Sequence, residues 1–121
     1  MARNMTPFSA KLFELLSNTI KDIGLDTKIK KMFGHEVHFL NGYMFAGANS
    51  RGMNIHVGLS EKEASLNNES GVFAFEPLEG MAMKEYILVG EEIYNDEKRL
   101  RSWLEKGASY IASLPPKKKT T

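Results

Sequence analysis

The sequence predicts an α+β domain: a single, mostly antiparallel β-sheet packed on one face by an N-terminal and a C-terminal helix. Three observations carry this. Asn41-Gly42 separates two runs rich in β-branched, aromatic or apolar residues, Glu36–Leu40 and Tyr43–Ala48. A type I′ turn needs positive φ at both central positions, and Asn-Gly meets that need at least steric cost. A second turn, Asn49-Ser50-Arg51-Gly52, leads into Met53–Val57, where apolar and polar residues alternate. Long segments at either end of the chain carry apolar residues at helical spacing instead.

The first helix is expected to open at Thr6 as N-cap with Pro7 at its first position, where the missing N–H costs nothing. Phe8, Leu12, Leu15, Leu16, Thr19, Ile20 and Ile23 form its apolar stripe, Phe13 sits off it, and Gly24 closes it as a C′ residue. Asp26–Met32 reads as a leading strand. Uninterrupted alternation through the meander would put Val37, Phe39, Ile55 and Val57 against the helices and Glu36, His38, Asn54 and His56 on the opposite face. That second face is expected to be open and moderately polar, with Leu40 and Phe45 as apolar islands.

Ser60-Glu61-Lys62-Glu63 has the form of a capping box opening a short helix that ends near Leu66. Val72–Phe75 and Tyr86–Val89 read as strands, with Met81–Lys84 open between strand and loop. Asp96 opens the last helix, striped by Leu100, Trp103, Leu104, Gly107, Ala108, Ile111 and Leu114 and stopped by Pro115-Pro116. Lys117-Lys118-Lys119 forms a basic tail suited to solubility and the helix dipole.

Composition bounds function. The 121 residues suit one domain, residues 1–121, with one core. A formal charge of +1 leaves no electrostatic footprint for direct nucleic-acid binding. Cysteine is absent, which excludes thiolate chemistry and fits a reducing compartment. Neither a signal peptide nor a membrane span is expected, so the cytoplasm is the default setting.

His35, His38 and His56 invite a metal reading, since a transition-metal site needs three or four such groups converging at about 2 Å. The intervening strand would hold His38 and His56 roughly 9–10 Å apart, so polar residues on a less buried sheet face are the better reading. No phosphate loop, nucleophile elbow or Ser/His/carboxylate set is recognisable, and Glu91-Glu92 reads as solvated. The expectation is therefore no catalytic residue, no cofactor and no metal. His38, His56 and Lys84 remain as a candidate binding surface on the open sheet face.

Met32-Phe33-Gly34, Asn41-Gly42 with Met44, His56-Val57-Gly58, Phe73 with Phe75, Met83-Lys84, Trp103 and Leu114-Pro115-Pro116-Lys117 occur in an order that resembles the TfoX N-terminal domain family. The resemblance covers residues 28–118, though the family commonly has Arg at the position of His56 and Gly at that of His35. It implies a small α+β domain which, in the competence regulators TfoX and Sxy, precedes a second domain and acts in transcriptional activation. The expectation from it is a stand-alone, non-enzymatic regulatory or adaptor domain acting through protein contacts, with a protein partner or homodimer. The alternative is a small-ligand-binding module on the polar sheet face.

Overall fold

The computed structural model describes residues 8–115 except 33 and 77–81. In chain order the elements are α1 (Ala10–Asp22), β1 (Lys28–Met32), β2 (His35–Leu40), β3 (Tyr43–Asn49), β4 (Gly52–His56), α2 (Leu59–Asn68), β5 (Val72–Ala74), β6 (Tyr86–Val89), α3 (Glu91–Tyr94) and α4 (Glu97–Ala112). The strands form one antiparallel sheet in the order β1-β2-β3-β4-β6-β5. Both β4 and β5 run antiparallel to β6, so α2 carries the chain across β6 between two parallel strands.

Local sequence explains most boundaries. Asn41 and Gly42 take φ values of 53° and 84°, and Leu40 pairs with Tyr43 across them. Asn49 Oδ1 accepts from the backbone N–H groups of Arg51 and Gly52, which fixes the next turn. Gly24, at φ 77°, ends α1 in a Schellman motif: its N–H donates to Lys21 O and that of Leu25 to Ile20 O. Asp96 caps α4 by accepting from Arg99 N.

Two helix starts differ from expectation. Helix α1 begins after Ser9, whose hydroxyl accepts from Leu12 N at 3.2 Å. The ring of Phe8 packs on Phe13 with centroids 5.7 Å apart, a hydrophobic staple across the cap, while Phe8 bridges to Asn49. Thr6 and Pro7 lie outside the described residues, as does the tail from Pro116. The start of α2 uses no capping box: Gly58, at φ 87°, is its N-cap, and Ser60 lies inside the helix. Only glycine fits there, because a Cβ would stand 2.7–2.9 Å from the Tyr110 ring. Glu91 and Glu92, expected to be solvated, are exposed in the first turn of the one-turn helix α3.

Both terminal helices pack on the same face of the sheet. Phe13, Leu16 and Ile20 of α1 and Leu100, Trp103, Leu104 and Ile111 of α4 meet Phe45, Ala48, Ile55, Val57, Ile87 and Val89 in one core. Phe13 is therefore a core residue, and Leu15 of the expected stripe is exposed instead. The Trp103 indole N–H donates to Glu69 Oε2 at 2.9 Å, and Arg99 Nη2 donates to the same oxygen at 3.0 Å. Burial alone would raise the Glu69 pKa, but these hydrogen bonds and the charges of Arg99 and Lys106 hold it below the ordinary carboxylate range.

The second face is not the open polar surface expected. Val37, Met44, Phe75, Tyr86 and Leu88 form a second buried cluster there, flanked by Met32, Phe39 and Met83. The cause is a bulge in β3. His38 pairs with Ala46 and Phe39 with Met44, so Phe45 is an extra residue and joins Ala46 on the helix face. A one-residue slip exchanges the two faces of a strand. Val37 and Phe39 consequently point away from the helices, and His38 points toward them. Phe45 is fully buried in the core and Leu40 packs against it, so neither is an island on the second face. The Met83 N–H donates to Phe75 O at 2.9 Å, tying the segment before β6 to the end of β5.

Candidate functional site

The bulge separates the two histidines that sequence placed together. His38 lies on the helix face and His56 on the other, and both are buried, at 3% and 6% exposure. They share no surface. Lys84 is exposed in the turn before β6. Among the described residues no three His, Cys, Asp or Glu side chains gather as a metal would require, and no helix is long and apolar enough to cross a membrane.

Under α1, His38 Nε2 stands 2.7 Å from Ser17 Oγ, and its Nδ1 stands 2.7 Å from Thr27 Oγ1. Its ring stacks on Phe13 at 4.9 Å. A hydroxyl both donates and accepts, so the neutral ring satisfies both partners at once. Burial favours the same form by holding the His38 pKa below its ordinary value. The imidazole, Ser17 and Thr27 line a cavity of about 470 Å³ whose apolar wall is Ile20, Leu25 and Ile29 and whose polar rim includes Lys21 and Asp26.

His56 faces a different set of partners. Its Nδ1 faces Met44 O at 3.2 Å and its Nε2 faces Glu85 Oε1 at 2.8 Å. Both partners are acceptors, so only a ring with a proton on each nitrogen donates to both. Tyr86 stacks on this ring at 4.3 Å, and Tyr110 meets it edge-on at 5.4 Å. The Tyr86 hydroxyl donates to Met44 O at 2.8 Å. Burial and then the Glu85 charge push the Tyr86 phenol well above its usual range. Burial, the Glu85 charge and a hydrogen bond to Glu85 raise Tyr110 likewise.

Tyr110 connects this network to a cleft of about 600 Å³ between α2 and α4, rimmed by Ser60, Glu61, Ser102, Glu105, Lys106 and Ser109. On the other side of α2, Lys62 is buried and donates from Nζ to Met83 O at 2.9 Å.

Ser17, Thr27, Glu85, Tyr110 and Lys62 escaped the sequence reading. Their partners lie 11 to 54 positions away in the chain, beyond any local motif. Ser17 sits four residues after Phe13, and its inward position follows only once Phe13, expected off the apolar stripe, is found in the core.

Compared with known proteins, residues 20–110 match the TfoX N-terminal domain. This span runs from the last turn of α1 to Tyr110 and includes His38 and His56. No curated protein gives a significant match to the chain.

Proposed function

Because the chain belongs to the TfoX N-terminal domain family, we propose that it is a non-enzymatic regulatory or adaptor domain that works through contact with another protein. The observation that carries this reading is Phe73. It is 54% exposed in the middle of the edge strand β5, paired with Leu88 of the second apolar cluster. An exposed aromatic ring on an edge strand is costly in a free monomer and useful in an interface.

A second copy of the chain is the partner that fits most simply. A two-fold axis at Phe73 would let β5 pair antiparallel with itself and bring two exposed rings together. Sedimentation over a range of concentrations tests this. A dimer that Phe73→Ser weakens, with the monomer's stability unchanged, is the expected result. A strict monomer that retains no protein partner would count heavily against the reading. We take the setting to be the cytoplasm, in keeping with a chain that has no cysteine.

A small-ligand module is the second reading, favoured by the cavity beside His38. Its volume falls within the range of ligand pockets. A thermal-shift screen detects such a ligand, since binding to the native state alone raises stability by RT ln(1 + [L]/Kd).

A further inference from the structure

A serine inside a helix commonly turns its hydroxyl back to the carbonyl four residues earlier, as Thr19 does here to Leu15 O at 2.9 Å. Ser17 does not. Its Oγ lies 2.7 Å from His38 Nε2, at the wall of the open groove between α1 and β1. We propose that Ser17 is an acyl-acceptor site, which takes a short acyl group from an activated ester or thioester and retains it as a serine ester.

The geometry assigns each role. When the Nδ1–H donates to Thr27 Oγ1, Nε2 keeps its lone pair and accepts from the Ser17 hydroxyl, the arrangement of a nucleophile facing its general base. Phe13 holds the ring plane from one side. Burial keeps the imidazole neutral, and so able to take a proton. Ile20, Leu25 and Ile29 supply a wall for a short alkyl chain. In the transfer, Ser17 Oγ bonds to the carbonyl carbon as the bond from that carbon to the thiolate or alkoxide leaving group breaks. The hydroxyl proton passes to His38 Nε2 and then to the leaving group, which departs as a thiol or alcohol.

Thr27 marks this as a modification site. A hydroxyl on Nδ1 orients the ring but brings no negative charge to stabilise the imidazolium. That slows acyl transfer to Ser17 and hydrolysis of the resulting ester alike, so the ester is long-lived once an activated donor has formed it, and the site adds a covalent handle to a domain that works by contact.

The test treats the full chain with p-nitrophenyl butyrate and follows intact mass and peptide maps. One butyryl group per chain on Ser17, retained in neutral hydroxylamine and released by alkaline hydroxylamine as serine esters are, is expected. Ser17→Ala should abolish it; that variant gains helix propensity but leaves His38 Nε2 without its partner, so its fold is checked by circular dichroism beside Thr27→Val. Thr27→Val should slow labelling about tenfold or more with an unchanged circular dichroism spectrum, because the base loses its orientation. Label that sits only on lysines as hydroxylamine-resistant amide, or label that persists in Ser17→Ala, overturns the proposal.

Discussion

His56 Nε2 and Glu85 Oε1 lie 2.8 Å apart, with the histidine side chain 7% exposed and the glutamate 45% exposed. One partner is in the protein and the other half in water, so solvent screens the pair. The ring also carries packing: Tyr86 stacks on it and Tyr110 meets its edge. Packing should therefore outweigh charge. His56→Ala is expected to cost about 2–4 kcal/mol, Glu85→Ala about 1 kcal/mol, and a double-mutant cycle by urea denaturation should give a coupling of about 0.5–1.5 kcal/mol. A coupling near the full cost of His56→Ala would mean that the ion pair, not the stacked rings, holds this corner.

Gly107 sets helix propensity against packing. In the interior of a helix, Gly→Ala normally adds about 1 kcal/mol. At this position a Cβ would stand 2.9 Å from the backbone oxygen of His56, 2.9 Å from Ile55 Cγ2 and 3.1 Å from Phe45 Cε1. The sheet backbone cannot give way as a flexible side chain would, so the clash should win. Gly107→Ala is expected to destabilise by about 1–3 kcal/mol in thermal or urea melts. A gain in stability would show that α4 can lift from β4 at little cost.

His38 gives the fold a pH dependence of definite sign. Unfolded, it titrates near its ordinary value of 6.5; folded, burial holds it lower. Between the two values the unfolded chain binds more protons, so stability rises with pH through that window. Acidification below about 6.5 should therefore weaken the fold progressively until the folded-state value is passed. The groups facing the ring, Ser17, Thr27 and Phe13, do not titrate in this range. Urea midpoints of the wild type should fall over that interval, and those of His38→Gln should fall less. Equal slopes would assign the loss to other groups.

The sequence was most legible where a residue's preference is local. Asn41-Gly42, Gly24 and Asp96 each mark a backbone geometry that few other residues accept, and each stands where its chemistry put it. Ser9 shows the limit of that logic. Both Thr6 and Ser9 are good caps, and the choice falls to Ser9 because Phe8 then reaches Phe13. Gly58 displaced the Ser60 capping box for a tertiary reason too, the ring of Tyr110 against its α-carbon. The candidate sites were less legible still. His38 and His56 were singled out, but the groups that define their chemistry come from α1, the loop before β1 and the turn before β6.

The faces of β2 depart furthest from what alternation predicts, and the departure rests on one residue. With Phe45 counted as an ordinary member of the strand, Val37 and Phe39 fall on the helix side with Ile55. With Phe45 bulged, they fall on the other side, and His38 takes their place under α1. Two changes at this position should therefore differ in kind. Phe45→Ala leaves the register intact and removes a fully buried ring, at a cost of about 3–5 kcal/mol. Deleting Phe45 removes the bulge and forces a choice. Either β2 turns its faces over, which drives Val37 and Phe39 into the space of His38, or the β2–β3 pairing slips against the Asn41-Gly42 turn. Both alternatives break the Ser17–His38–Thr27 contacts as well as the core. The deletion variant should lack a cooperative urea transition and dispersed amide resonances, whereas Phe45→Ala should keep both with a lowered midpoint. A deletion variant as stable as Phe45→Ala would show that the bulge is incidental and that β2 tolerates either face toward α1.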